Sequence, residues 1–276
     1  MGSDPTPAQL ETYRQLLAVA VRAADAAVEL IHTNRPASFA IDAKSTATDL
    51  VTEMDTASEA LIRSIITEER PDDVIVGEEG GPGQSPAEDP ETVTWYVDPI
   101  DGTTNYVYDH PGYNVSIAAT IGDVGVAAVV ADPTHVRRYT AVRGGGAWCD
   151  DRRLHIGPPP PLPEALVATG FAYDAERRGR QGALVAELLP RIRDIRRMGA
   201  AALDLCSVAA GRVDAYYEVG LGRWDLAAGA LIAEEAGARL GSLDGGEVRP
   251  ASVLVAHPEL FEPLRQLLAE LGSDAL

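Results

Sequence analysis

Apolar positions recur at helical spacing over residues 8–33 (Leu10, Leu17, Val21, Ala24, Val28, Ile31), and Pro36 stands just beyond, which predicts a first helix ending there. A polar stretch, Lys44-Ser45-Thr46-Ala47-Thr48-Asp49, leads into a second helical pattern from about Asp55 to Glu69, closed by Pro71. Val74-Ile75-Val76 reads as a short buried strand that delivers Gly77-Glu78-Glu79-Gly80-Gly81, and residues 80–92, rich in Gly, Pro and acids, read as an exposed loop. Val93 to Val97 forms a strand that runs into Asp98-Pro99-Ile100-Asp101-Gly102-Thr103-Thr104. Strands then dominate to about residue 149, with Tyr113–Ile121 and Val124–Ala131 flanking a turn at Gly122-Asp123. A Pro run at 158–161 marks a seam. Beyond it the pattern alternates: a strand near 165–169, helices near 175–189 and 200–211, a strand at 213–218, a helix from about Asp225 to Ala236, a strand at 252–256 and a last helix from 258. Such a mixture predicts layered α/β structure in a single unit over 1–276, with an N-terminal half of about 1–157 and a C-terminal half of about 158–276. Strand order is not legible in the pattern.

Composition changes this picture little. A chain of 276 residues with 46% hydrophobic and 24% charged positions is long enough for a large core and ordinary for a globular protein. No apolar run reaches the roughly 18 residues of a membrane-spanning helix. Met1 to Gln9 is polar, without a basic segment ahead of an apolar core, so no export signal is expected. Cys149 and Cys206 lie far apart and form no metal-spaced cluster, and two free thiols in a reducing cytoplasm is the expectation. Charge is more informative. A net charge of -19 argues against a nucleic-acid partner. It would also repel a phosphate-bearing substrate, unless some of the carboxylates hold divalent cations and so invert the local field. A solvated acidic surface accounts for most of the excess.

The strongest chemical signal is Trp95-Tyr96-Val97-Asp98-Pro99-Ile100-Asp101-Gly102-Thr103-Thr104-Asn105. On this reading a strand ends at Asp98, and Pro99 fixes a turn that brings Asp101 round beside it. Gly102 admits a ligand close to the backbone, and the Thr residues start a helix whose N–H groups suit an anion. Two Asp beside such a turn is what a hard-metal phosphoryl site requires, since oxygen ligands hold Mg²⁺. A capped turn with a structural Asp is the plainer alternative. Glu78-Glu79 alone would be a solvated pair, but it follows a buried strand and precedes glycines, a place where ligands collect. Trp224-Asp225 opens an apolar helix, so helix capping competes with a ligand role for Asp225, and the same alternative applies to Asp55. Trp95, Trp224 and Cys206 read as packing residues.

Together these segments resemble the inositol monophosphatase family, within the wider group that includes fructose-1,6-bisphosphatases. The resemblance rests on Gly77-Glu78-Glu79, on Asp98-Pro99-Ile100-Asp101-Gly102-Thr103-Thr104-Asn105, on Trp224-Asp225-Leu226-Ala227-Ala228-Gly229 with Glu235-Ala236-Gly237, and on Lys44-Ser45 with Asp49-Leu50-Val51-Thr52 and Asp55. These segments occur in the family's order and span roughly residues 10 to 270. The resemblance implies an alternating αβαβα sandwich, a homodimer, inhibition by Li⁺ and a mechanism with two to three Mg²⁺ ions. In that scheme Glu78, Asp98 and the carbonyl of Ile100 hold a first metal. Asp98, Asp101 and Asp225 hold a second, and Glu78 with water holds a weaker third. Crowded carboxylates would raise one another's pKa unless divalent charge compensates, which fits such a division. The first metal would acidify the attacking water and the second would stabilise the leaving oxygen. Thr103, oriented by Asp55, would position and deprotonate that water, with Glu78 also at the catalytic centre. The backbone N–H groups of Gly102 and Thr103 would bind the phosphate.

The implied substrate is a small phosphate monoester, most naturally an inositol monophosphate, hydrolysed without a covalent enzyme intermediate. The resemblance places Gly199, Ala200, Glu218 and Asp101 against the polyol hydroxyls. Ala200 stands where many animal members carry Thr, which removes one hydroxyl partner. Glu218 has the alternative of a surface or interface acid at a strand end. Fructose-1,6-bisphosphate, histidinol phosphate and a 3'-phosphoadenosine nucleotide are the competing substrates. A nucleotide would want basic or aromatic groups for a second phosphate or a base, and the sequence shows no clear cluster of them. A binding protein that kept the fold and lost chemistry would show a missing ligand or a changed Thr103, and neither is seen.

Overall fold

The computed structural model describes residues 5–39, 41–44, 50–80 and 85–276. Thr6 caps the first helix, α1 (Pro7–Val28), with its hydroxyl on the Gln9 N–H, and a π-helical turn, Glu29–Thr33, extends it. Its buried face is Tyr13, Leu16, Ala20, Ala23, Ala24, Ala27 and Ile31, whereas Leu10, Leu17, Val21 and Val28 are only partly buried. Alanine lets α1 lie close on the sheet beneath it, so the contact stripe is rotated from the one that the larger side chains suggest. A short hairpin, β1 (Ile41–Ala43) with β2 (Leu50–Thr52), precedes α2 (Glu53–Glu69). Ser45, Thr46, Ala47, Thr48 and Asp49 of the polar stretch, and Gly81 with the next three loop residues, fall outside the described residues.

The main sheet has seven strands in chain order: β3 (Val74–Gly77), β4 (Val93–Asp101), β5 (Asn114–Ile121), β6 (Val124–Asp132), β7 (Arg137–Val142), β8 (Gly146–Cys149) and β9 (Arg152–Arg153). Only the β3–β4 pair is parallel, and the rest is an antiparallel meander. After the Pro run come β10 (Leu166–Thr169), α4 (Ala175–Leu188), β11 (Asp194–Arg196), α5 (Ala201–Ala209), β12 (Ala215–Glu218), α6 (Arg223–Glu235), β13 (Arg239–Gly241), β14 (Val253–Ala256) and α7 (Pro258–Glu270). The strands of this half form a second sheet in the order β11-β10-β12-β14-β13.

Alternation along the strands explains the layering. Trp95, Val97, Ile117, Ala127 and Val129 face α1 and α2, while Ala118, Ala128 and Val130 face α5 and α6. In the second sheet Ala168, Tyr216, Val253 and Val255 meet α5 and α6 from the other side, and Val167, Tyr217, Leu254 and Ala256 meet α4 and α7. The result is an αβαβα sandwich with α5 and α6 as its central helical layer. The carboxyl end of β4, the start of α5 and the start of α6 meet at one edge of that layer.

Candidate metal centre and active site

Sequence reasoning ends the fourth strand at Asp98 and turns the chain at Pro99. The structure instead continues β4 through Asp101, and its register against β5 shifts between Asp98 and Asp101. Asp98 lies opposite Ser116 and Asp101 opposite Asn114, so three steps on β4 span two on β5, the signature of a bulge. The extra residue re-aims the strand end. Asp98 takes the Ile100 N–H at 3.1 Å. Gly102 follows with φ +89 as the cap of a short helix, α3 (Thr103–Val107), and a Cβ there would sit 2.9 Å from the Gly112 carbonyl oxygen. No other residue fits that conformation without strain.

Asp101 reaches across to the C-terminal half. Its carboxylate accepts the backbone N–H groups of Ala201 (3.2 Å) and Ala202 (2.8 Å), so it caps α5, whose own cap position, Ala200, has no side-chain acceptor. Asn114 donates to the same carboxylate at 2.8 Å. The pattern starts this helix at about Asp225, but α6 begins two residues earlier, at Arg223, so Asp225 lies in its first turn and accepts the Gly222 N–H at 2.5 Å. One carboxylate oxygen each from Asp98, Asp101 and Asp225 lie within 4.8 Å of one another. Burial, then mutual repulsion with Glu78 and with one another, raises the pKa of Asp98 well above the carboxylate range. Asp225 is raised by burial and by the charges of Asp101 and Glu78. Burial also lifts Asp101, but its three donors hold it to about 6. An oxygen-only donor set with excess negative charge, two of its carboxylates buried and that of Asp225 partly so, fits a hard divalent cation.

Glu78 lines the same cavity, beside Asp98, with its Oε1 2.7 Å from the Lys44 ammonium. Lys44 also bonds Glu79, whose backbone N–H goes to Glu59 at 2.7 Å. Burial disfavours the Lys44 charge, but attraction to Glu78 and the hydrogen bonds to both acids outweigh it and raise its pKa. Burial pushes Glu79 up to about 7. A cation using Glu78 as a ligand therefore competes with Lys44. The Ile100 carbonyl, also on the cavity wall, accepts the Thr103 hydroxyl at 3.1 Å.

That hydroxyl lies equally close, 3.1 Å, to Asp55 Oδ1. The other oxygen of Asp55 takes the Thr52 N–H (2.8 Å) and hydroxyl (2.6 Å), closing the cap of α2. Capping and contact with Thr103 are thus not alternatives for Asp55, since each uses its own oxygen. Burial raises the Asp55 pKa. Gly102, Thr103, Gly199, Ala200 and Glu218 all line the cavity, which encloses about 300 Å³. Glu218 accepts the Tyr216 hydroxyl at 2.6 Å, and burial pushes its carboxyl up to about 7. Asn105 joins the two halves here, donating to the Gly112 and Met198 carbonyls at 2.8 Å each. Trp95 is fully buried and donates to Asp73, a packing residue as expected. Lys44 and Asn114 carry no assignment in the sequence reading. A polar Asn facing inward on an apolar strand was the available signal.

Comparison with known proteins decides the family. The model of the inositol monophosphatase family matches residues 12–273. The chain belongs to the inositol monophosphatase family. Inositol-1-monophosphatase SuhB of Mycobacterium tuberculosis is 47% identical over 246 residues, 86% of this chain and 85% of that one. Nus factor SuhB of Escherichia coli is 37% identical over 265 residues, covering 95% and 98%. The crystal structure of extragenic suppressor protein suhB from Bartonella henselae superposes with a TM-score of 0.85 at 31% identity, over 92% of this chain and 98% of that one. Family membership accounts for the αβαβα order and for the convergence of β4, α5 and α6 on one acidic edge.

Proposed function

We propose that this member of the family is a Mg²⁺-dependent phosphatase that hydrolyses a small polyol phosphate monoester, with myo-inositol monophosphate as the reference substrate. The observation that carries the reading is the meeting of the Asp98, Asp101 and Asp225 carboxylates with a Thr103 hydroxyl held by Asp55, all on one cavity. Asp98, Asp101, Asp225, Glu78 and the Ile100 carbonyl would hold two to three Mg²⁺ ions. When bound, the cations supply Lewis-acid stabilisation of charge on the phosphoryl and leaving oxygens and favour ionisation of water.

The chain's own residues do the rest. The first N–H groups of α3 have no intrahelical acceptor, so those of Gly102 and Thr103 serve the phosphate oxygens. Thr103 Oγ1 accepts a hydrogen bond from the attacking water while its own proton points to Asp55. As the new O–P bond forms, the water proton passes to Thr103 and the Thr103 proton to Asp55, whose raised pKa makes it a better acceptor than a solvated Asp. The bond to the substrate oxygen breaks, that oxygen takes a proton from solvent water and leaves as the alcohol, and Asp55 returns its proton to solvent to restore the starting state. Glu218, Gly199 and Ala200 face the polyol, and Glu218 accepts from its hydroxyls. Ala200 offers no hydroxyl of its own, which favours tolerance among polyols.

The net charge of -19 supports a small-molecule partner rather than nucleic acid. Among the described residues no helix is long and apolar enough to cross a membrane, and both thiols are free, which suits a cytoplasmic location; the homodimer is proposed on family membership alone. Li⁺ should inhibit by taking the place of the cation that Asp101 and Asp225 hold once the alcohol has left, giving uncompetitive or mixed inhibition. Purely competitive inhibition would contradict that order of release. Phosphate release from a panel of monoesters, with and without Mg²⁺, tests the reading as a whole.

A further inference from the structure

The turn that carries Thr103 has only five residues, Thr103–Val107, too few for a helix to hold its shape unaided. Its place is therefore set by what grips it. At the carbonyl end stands Arg35, whose Nη2 donates to the carbonyls of Tyr106 (2.9 Å) and Val107 (3.4 Å). A cation suits that end, where helix carbonyls lack intrahelical partners. The guanidinium carbon lies 5.1 Å from the Phe39 ring centroid and 5.5 Å from that of Tyr106, close enough for cation–π attraction. Tyr106 is itself fully buried, edge-on to Phe39 at 5.2 Å and to Tyr113 at 5.0 Å. Its hydroxyl donates to the Ile31 carbonyl at 2.8 Å. Ile31 lies in the π-helical turn, and the residue that would supply its N–H in that spacing is Pro36, which has none, so the carbonyl is open to Tyr106. Solvation and ion pairing do not account for Arg35. Its side chain is 24% exposed, its Nε is buried without an acceptor, and Asp109, 3.6 Å away and 80% exposed, is a weak partner. Nor does Arg35 line the cavity.

We propose that Arg35 is a positioning residue for the hydrolytic step: by holding the carbonyl end of α3 it keeps the Thr103 hydroxyl between Asp55 and the attacking water. What Thr103 does rests on the phosphatase reading, whereas the grip on α3 does not depend on it. The helix is little more than one turn long, so a shift at its carbonyl end is carried to Thr103. A misplacement of about 1 Å at the reacting groups is enough to lower a rate on the order of 10²-fold. The metal-binding carboxylates sit on other elements and are not held by Arg35. Pattern alone shows Arg35 only as the residue before Pro36, because the carbonyls it holds lie 71 and 72 residues further along the chain.

Arg35→Met keeps apolar bulk against the two rings and removes the donors. With Mg²⁺ and myo-inositol 1-phosphate it should lower kcat by about tenfold to about a hundredfold, with KM and the Mg²⁺ concentration for half-maximal rate within a few-fold of the unaltered protein. Arg35→Lys, which restores the charge and a donor but not the planar fork, should recover part of the loss. In the Thr103→Ala background Arg35→Met should lower kcat no further, because the hydroxyl that Arg35 positions is gone. Amide hydrogen exchange gives the comparison without turnover: residues 103–108 should exchange faster in Arg35→Met while α2 and β4 keep their protection. Should Arg35→Met not fold, Arg35→Lys carries the same comparisons with smaller effects. If the unaltered protein hydrolyses no ester yet exchange at 103–108 still rises in the variant, the phosphatase reading fails and the grip on α3 stands. A normal kcat with only a lowered melting temperature, a loss that multiplies with that of Thr103→Ala, or unchanged exchange at 103–108 would overturn the positioning role.

Discussion

Thr103 combines a backbone donor with a hydroxyl fixed between Asp55 and the Ile100 carbonyl, and substitution separates the two. Thr103→Ala keeps the backbone N–H and every carboxylate, so kcat should fall on the order of 10²–10⁴ while KM stays within a few-fold. Thr103→Ser should recover much of the rate. Near-normal kcat with a lowered melting temperature in Thr103→Ala would leave the hydroxyl only a capping role. Asp98→Asn should cost far more activity than Glu79→Gln, because Asp98 faces both Asp225 and Glu78, whereas Glu79 is bonded to Lys44. Equal small losses in steady-state assays would show the ligand assignment to be wrong. Glu218 makes a pH prediction. With its folded pKa near 7, against 4.5 for an ordinary Glu, the folded chain keeps a proton that the unfolded chain has lost. Its contribution to the stability of the metal-free protein is therefore greatest below the unfolded value and declines as pH rises to about 7. Urea melts in EDTA at about pH 5 and about pH 8 should show a smaller decline for Glu218→Gln than for the unaltered chain. Most of these residues were legible from local motifs. Their partners were not, since Asp55 and Thr103 or Asp101 and Ala202 meet only through the fold.

At the scale of elements, Asp101 binds β4 to α5, and this sets it apart from Asp98. Removing Asp101 leaves the Ala201 and Ala202 N–H groups and the Asn114 amide without their acceptor, whereas Asp98 accepts one backbone N–H in a crowd of like charges. In EDTA, Asp101→Ala should therefore destabilise the protein by about 1–3 kcal/mol, and Asp98→Asn should leave it unchanged or more stable. Thermal melts of the two variants check the order, and the reverse order would refute the capping role. The long elements, α1, α2, α4, α6 and α7, were readable because an apolar face repeats over several turns. Strands of three residues, β11 and β13, were not, since they hold their place through neighbours in the sheet rather than through a pattern of their own. The continuation of β4 past Pro99 was missed for a related reason. A bulge accommodates Pro where a regular ladder would not, and pairing with β5 decides it.

For the whole molecule, the central point is electrostatic: a chain of net charge -19 gathers buried carboxylates where its two halves meet. The segments carrying them were legible in order along the sequence, but the layering that brings α5 and α6 between two sheets was implied only by resemblance. Pattern alone does not give strand order. A cation that neutralises the group should bind the folded state and not the unfolded one, so Mg²⁺ should raise the melting temperature of EDTA-treated protein, and less so in Asp98→Asn. The most direct test is phosphate release from myo-inositol 1-phosphate by EDTA-treated protein, measured before and after Mg²⁺ is returned, with Asp98→Asn alongside. The account predicts no release without the metal, full recovery with it, and little recovery in the variant. Undiminished release from the metal-stripped protein, or none at any Mg²⁺ concentration, would contradict it.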